Sequence, residues 1–127
     1  MRLLLDTHIV LWVLRDAREL KAGARSMIGH AEVVFVSAAS WWEISIKAAA
    51  GKLPVEPERL QARALAAGFE PLPVTWTHAL AVHGLPPLHR DPFDRMLIAQ
   101  AQLENLSLVT ADERLAVYGV SLVDARV

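Results

Sequence analysis

Cysteine is absent from the 127 residues of this chain. Its absence excludes a disulfide scaffold and a thiolate metal site, and it is typical of proteins in a reducing compartment. Long apolar runs are absent too, since none approaches the ~20 residues of a membrane span. The amino-terminal run is interrupted by Asp6 and His8 and lacks the small-residue cleavage site of a signal peptide. We therefore expect a soluble, cytoplasmic protein.

The chain also lacks an excess of basic residues, because its formal net charge is -1 at pH 7. Any binding of phosphate must therefore come from local clusters or from bound metal rather than from overall charge. Apolar residues make up 54% of the chain, slightly more than in an average globular protein. This surplus of apolar surface predicts an oligomer or a permanent partner.

The length favours one domain spanning residues 1–127. Short apolar runs that are typical of strands alternate with patterns that are typical of helices. The predicted strands are 2–5, 33–36, 106–109 and 120–123, with a proline-broken edge segment at 69–74. The predicted helices are 8–15, 21–30, 38–50, 57–67, 75–83 and 92–104. This alternation predicts an α/β fold in which helices cover both faces of a mainly parallel sheet.

Four acidic residues map to one edge of that sheet. Asp6 follows the first strand, Glu43 lies early in the helix after the second, and Asp112 follows a late strand. Asp94 lies on the same edge, in the first turn of the helix that begins at Pro92 and leads into the next strand. Converging carboxylates repel each other unless a divalent cation holds them. Oxygen ligands of this kind suit Mg²⁺ or Mn²⁺.

The acids of the late helix also have a structural explanation. Asp91 fits the N-cap of a helix that has Pro92 at its first position. Asp94 would then complete an arrangement like a capping box. On the residues alone, a cap and a site explain Asp94 equally well.

The other three acids have structural alternatives as well. Asp6 ends a buried strand, where Thr7 or a backbone N–H can satisfy its charge. Glu43 can pair with Lys47 one turn later, although its apolar neighbours leave little room for a solvent-facing pair. Asp112 can be a first-turn acid of a short final helix, with Thr110 as the cap and Glu113 answering it.

Other kinds of site find no support. The five histidines include no pair four residues apart and no His-Glu-x-x-His motif, so no zinc site is predicted. There is no glycine-rich phosphate loop and no Gly-x-Ser-x-Gly motif. The four tryptophans are more typical of core or interface positions than of base-stacking platforms.

Three segments carry a family likeness: "LLLDTHIVLW", "VSAASWWEISIKAAAGKL" and "LPPLHRDPFDRMLIAQAQLENLSLVTAD". In this order and spacing they resemble a PIN-domain protein, specifically a VapC-type ribonuclease toxin of a type II toxin–antitoxin module. The resemblance covers nearly the whole chain. Most of its specificity comes from the "WEI" block, with its downstream lysine and glycine, joined to "HRDPFDR".

The resemblance implies a three-layer α/β/α fold, a homodimer, and a cognate VapB-like antitoxin that holds the toxin inactive. It also implies Mg²⁺-dependent cleavage of RNA, with Mn²⁺ as a substitute, leaving 5′-phosphate and 3′-hydroxyl ends. The family's catalytic and metal-holding acids fall on Asp6, Glu43, Asp94 and Asp112, and a supporting hydroxyl falls on Thr110. By this comparison Asp91 is the helix cap and Asp94 a metal ligand.

These residue types suit metal-assisted hydrolysis of a phosphodiester. Candidates for contacts with backbone phosphates are Arg90, Arg95, Lys47 and Lys52. A phosphatase of the haloacid dehalogenase type would need a second aspartate where His8 stands, and a receiver-like module would leave the late acids without a role. A catalytically silent PIN-fold module that binds RNA, metal or another protein remains the alternative.

Overall fold

The computed structural model describes all 127 residues as one five-stranded parallel sheet with helices on both faces. The strands are β1 (Arg2–Leu5), β2 (Val33–Ser37), β3 (Glu70–Leu72), β4 (Ser107–Thr110) and β5 (Leu122–Asp124). The α-helices are α1 (Thr7–Leu14), α2 (Ala22–His30), α3 (Ala38–Ala49), α4 (Pro57–Ala66), α5 (Trp76–Ala81) and α6 (Pro92–Glu104). Two short 3-10 helices span Val82–Gly84 and Glu113–Tyr118.

The predicted α/β class with a parallel sheet is confirmed, and each predicted strand and helix is present. The boundaries of α6 agree with the sequence pattern to the residue. The predicted helix 75–83 is a shorter α-helix that tightens into 3-10 geometry at Val82. Strand β4 begins one residue later than predicted, because the Leu106 N–H still donates to the Ala101 carbonyl at the end of α6.

The central strand β1 explains why the fold has two apolar layers. Leu3 and Leu5 pack into the core on one face of the sheet, while Leu4 packs into the core on the other. All three are fully buried, as the alternation of side chains along a strand requires when both faces are covered. The continuous apolar run "LLL" is therefore the pattern of a central parallel strand.

The strand order is β3-β2-β1-β4-β5. Strand β3 lies at an edge and contains Pro71, which lacks the N–H that a central strand would need. The carboxyl ends of β2, β1 and β4 are neighbours in this order. Residues that directly follow these three strands therefore meet at one edge of the sheet.

Helix α6 begins with a complete cap. The Asp91 carboxylate accepts hydrogen bonds from the backbone N–H groups of Phe93 at 2.8 Å and Asp94 at 3.2 Å. Pro92 occupies the first turn, where its missing N–H has no consequence. The prediction that Asp91 caps this helix is confirmed by this geometry.

No helix in the chain combines the length and apolar character that crossing a bilayer would require.

The cap makes a testable contribution to stability. We expect Asp91→Ala to lower the free energy of unfolding by ~0.5–2 kcal/mol, because two N–H groups lose their acceptor. Asp91→Ser keeps a capping oxygen and should retain most of the wild-type stability. Urea denaturation of the three proteins measures the difference, and equal loss in both variants would contradict the capping role.

Candidate functional site

A pocket of about 450 Å³ opens at the edge where β1, β2 and β4 end. Its walls contain the four acids predicted from the sequence, Asp6, Glu43, Asp94 and Asp112, and also the capping residue Asp91. Four different elements supply the four acids, so tertiary structure assembles the pocket from residues far apart in the chain. Such a concentration of carboxylates is what a bound cation would neutralise.

Asp6 is the most buried of the aspartates, with 5% exposure. Its carboxylate accepts hydrogen bonds from the Thr7 backbone N–H and the Thr110 hydroxyl, both at 2.7 Å. Burial raises the pKa of Asp6, and the hydrogen bond from Thr110 opposes this rise. Of the structural partners considered for Asp6, the backbone N–H of Thr7 is present. The Thr7 hydroxyl instead donates to Ser40 at 2.9 Å, and the hydroxyl that binds Asp6 belongs to Thr110.

Glu43 projects from the second turn of α3 and is buried. The Lys47 ammonium lies 2.7 Å from its Oε2 atom. The pair predicted from the i, i+4 spacing therefore forms, but around a buried carboxylate rather than on a solvated surface. The hydrogen bond to Glu43 raises the pKa of Lys47, which keeps the lysine charged.

Asp94 carries the largest perturbation among the acids of the pocket. Burial and the negative charge of Asp6 raise its pKa to about 6. A hydrogen bond with His89 opposes the rise, with His89 Nε2 2.8 Å from Asp94 Oδ2. The negative charge of Asp6 therefore adds to the cost of burial in raising the free energy of the charged form of Asp94.

Asp112 follows β4 and caps the 3-10 helix Glu113–Tyr118. Its own backbone N–H donates to the Thr110 hydroxyl at 3.0 Å, so Thr110 contacts two of the four acids. Arg114 binds the Asp112 carboxylate through two nitrogens, at 2.9 and 2.8 Å. These hydrogen bonds lower the pKa of Asp112.

The donors of the pocket fit a divalent metal. Ligand atoms of His89, Asp94 and Asp112 lie within 4.8 Å of one another, and Asp6 and Glu43 line the same pocket. A set dominated by carboxylate oxygens suits Mg²⁺ or Mn²⁺. Burial and the nearby charge of Asp6 raise the pKa of Asp94, and a bound cation would favour its charged form.

The residues considered for phosphate contacts are distributed unevenly. Lys47 lines the pocket, whereas Arg90 and Lys52 do not. The Arg95 guanidinium turns instead toward the segment before α6, where it donates to the carbonyls of Pro86 and Val82 at 2.9 and 3.1 Å. In this structure Arg95 therefore holds the segment that carries His89 rather than facing the pocket.

The sequence placed His89 near this edge of the sheet but gave it no role, and it did not single out Arg114; both line the pocket. His89 lies on the irregular segment before α6, where no periodicity marks its direction. Arg114 stands two residues after Asp112, a spacing that allows a local pair but does not place it in a pocket. Their role follows from the fold alone.

A second, apolar groove of about 480 Å³ lies beside the acidic pocket. Trp42 and Phe93 line it with their rings 5.2 Å apart in an edge-to-face arrangement. Each of these residues directly precedes an acid of the pocket, so α3 and α6 present acids to one cavity and aromatic side chains to the other. The exposed fractions of Trp42, Trp76 and Leu80 are 64%, 89% and 75%.

Comparison with known proteins agrees with this geometry. The family model described as the PIN domain matches residues 3–120. Ribonuclease VapC22 of Mycobacterium tuberculosis is 31% identical, with 88% of each chain covered. The fold is similar to that of VapBC2 from Rickettsia felis, solved bound to a promoter DNA fragment, with a TM-score of 0.74, 15% identity and 98% of each chain covered. A toxin–antitoxin complex from Klebsiella pneumoniae gives a TM-score of 0.68 at 19% identity over 96% of each chain.

Removal of charge at Asp94 should stabilise the metal-free protein. Because the folded state holds the Asp94 proton up to pH about 6, the free energy of unfolding falls as pH rises from the ordinary value near 4 toward 6. Asparagine does not titrate, so we expect Asp94→Asn to lack this decrease in the free energy of unfolding. Its stability relative to wild type should therefore increase from pH about 4 to neutral. Thermal melts in EDTA across this range measure the effect.

A matched control is Asp124→Asn, since Arg126 lowers the pKa of this exposed carboxylate. This variant should be no more stable than wild type at neutral pH. The explanation is wrong if Asp94→Asn is no more stable than wild type, or if it is more stable by the same amount at every pH.

Proposed function

The chain belongs to the PIN domain family, and from that premise we propose that it is a VapC-like endoribonuclease toxin that hydrolyses phosphodiester bonds in RNA. We further propose that it requires Mg²⁺, which Mn²⁺ can replace, that it acts in the cytoplasm, and that a VapB-like antitoxin neutralises it. The observation that carries this proposal is the convergence of Asp6, Glu43, Asp94 and Asp112 on one pocket. The relative from Mycobacterium tuberculosis, named a ribonuclease, supports the same activity.

The four acids are the residues proposed to hold the metal, with His89 beside Asp94 and Thr110 orienting Asp6. When bound, Mg²⁺ would lower the pKa of an attacking water and offset negative charge on the phosphate. The chain's own part begins with Asp6, whose two hydrogen bonds fix its carboxylate before any ligand arrives. A fixed carboxylate avoids reorganisation during the reaction.

In this proposal, acidic residues act on the attacking water and basic residues orient the phosphate. Asp94 or Asp112 can accept a proton from the attacking water, whose oxygen bonds to phosphorus while the 3′ oxygen of the preceding nucleotide leaves. That cleavage gives a 5′-phosphate and a 3′-hydroxyl. Lys47 and Arg114 lie in the pocket wall with partly exposed cationic groups. They are the side chains best placed to orient the phosphate.

We propose that the antitoxin covers the acidic pocket. The structural relative from Klebsiella pneumoniae is a toxin–antitoxin complex, and this chain presents five carboxylates around one opening. A carboxy-terminal antitoxin segment that inserts a basic side chain among these acids would neutralise their charge and exclude RNA.

A second copy of the chain is the proposed partner for the apolar groove. Helix α5 supplies one wall through Ala79 and exposes Trp76 and Leu80. It is held rigidly, because His78 Nδ1 accepts from the Thr75 N–H at 3.1 Å and Nε2 lies 2.8 Å from Glu104. An exposed apolar surface on a firmly anchored helix favours a permanent interface, and we propose a homodimer along it.

Metal removal tests the nuclease proposal. The purified protein should cleave RNA with Mg²⁺ or Mn²⁺ and lose this activity in EDTA.

Asp94→Asn should abolish cleavage while remaining folded, whereas Asp91→Ala should keep a substantial part of the activity among its folded molecules. RNA cleavage time courses with a thermal melt of each variant decide this, and cleavage that survives both EDTA and further purification would refute metal dependence.

The dimer can be tested on α5. Leu80→Glu places a charge on the exposed apolar surface and should convert a homodimer into a monomer, as measured by light scattering. Val117→Glu is the matched control, because Val117 is 61% exposed on the 3-10 helix Glu113–Tyr118 rather than on α5, and it should leave the dimer intact. A wild-type monomer at every concentration, or equal dissociation of both variants, would exclude this interface.

A further inference from the structure

Three carboxylates of the acidic pocket each hold one basic side chain of the same chain. The pairs are Glu43 with Lys47 at 2.7 Å, Asp94 with His89 at 2.8 Å, and Asp112 with Arg114 at 2.8 Å. Each base lies within five residues of its acid, so local structure supplies the partner. The pocket thus carries basic side chains of the same chain on carboxylates that the proposed metal would need.

The pair of Glu43 with Lys47 differs from the other two in its burial. The Glu43 side chain is 5% exposed, and the Lys47 side chain is 42% exposed. The Lys47 ammonium is the one hydrogen-bond partner of the Glu43 carboxylate in the structure. A buried carboxylate needs a neutralising partner, and here that partner is a flexible, half-solvated side chain.

This geometry allows the lysine to leave at small cost. The ammonium of lysine is a compact charge on a flexible stem, and it regains hydration when it turns outward. The metal and the ammonium would compete for the same carboxylate, and their like charges repel at short distance. A metal bound at Glu43 would therefore weaken the contact that Lys47 makes with Oε2.

We propose that Lys47 is a resident counterion of Glu43 that a divalent metal displaces, an inference that rests on the proposed metal-dependent function. Lys47 stabilises the metal-free pocket and weakens metal binding by competition. After displacement its ammonium points to the pocket mouth, where a backbone phosphate would arrive. A lysine that only orients Glu43 would have the opposite effect, since its removal would weaken metal binding.

The direction of the change in metal affinity separates these roles. We expect Lys47→Met to lower the dissociation constant for Mn²⁺ by at least about threefold, the scale of one partly exposed charged hydrogen bond. Its melting temperature without metal should fall, and the rise in melting temperature on adding Mn²⁺ should exceed that of wild type. Binding is measured without RNA, from the electron paramagnetic resonance signal of free Mn²⁺.

Two variants control for charge and for folding. Lys21→Met removes the same charge at an exposed position outside the pocket and should leave the Mn²⁺ dissociation constant unchanged. Lys47→Arg keeps a competing cation and should stay near the wild-type value. Lys47→Gln replaces Lys47→Met if the latter does not fold, with the same expected tightening.

Unchanged or weaker Mn²⁺ binding in the folded Lys47 variants would overturn the proposal, and so would equal tightening in Lys21→Met. Failure of the wild type to bind Mn²⁺ at all would remove both this inference and the proposed metal dependence. If the wild type binds Mn²⁺ and cleaves RNA but Lys47→Met binds Mn²⁺ with unchanged affinity, the proposal for Lys47 is wrong and the proposed metal dependence stands.

Discussion

The hydrogen bond between Thr110 Oγ1 and Asp6 Oδ2, at 2.7 Å, joins the carboxyl ends of the neighbouring strands β1 and β4 inside the acidic pocket. A charged carboxylate at the end of a buried strand is unfavourable without such partners. With them, Asp6 becomes a fixed negative charge at the centre of the edge, and its charge raises the pKa of Asp94 on α6. The other buried carboxylate, Glu43, lines the same pocket, together with Asp94 and Asp112.

The pocket illustrates a conflict between stability and function. Clustered carboxylates that would serve a metal are costly to keep charged, and burial together with the charge of Asp6 raises the pKa of Asp94. Three basic residues of the same chain each contact one of these acids: Lys47, His89 and Arg114. Strain of this kind at a site is expected where selection maintains activity rather than maximal stability.

Helices α3 and α6 serve two surfaces at once. Glu43 and Asp94 face the acidic pocket, and the residues before them, Trp42 and Phe93, line the apolar groove. A partner that pressed on the groove would therefore contact the same helical turns that position two of the acids. The proposed dimer and the proposed metal site share these turns, although their chemistry differs.

The sequence alone was enough for the parallel α/β fold and for the four acids of one edge. Buried strands read as unbroken apolar runs, and parallel topology brings their carboxyl ends together whatever the distance along the chain. The cap at Asp91 followed from its position before Pro92. Only the tertiary structure could decide where the bases point: Arg95 turns toward loop carbonyls, while His89 and Arg114 enter the pocket. Long polar side chains have no periodic signal, because their direction depends on acceptors that the fold brings from other elements.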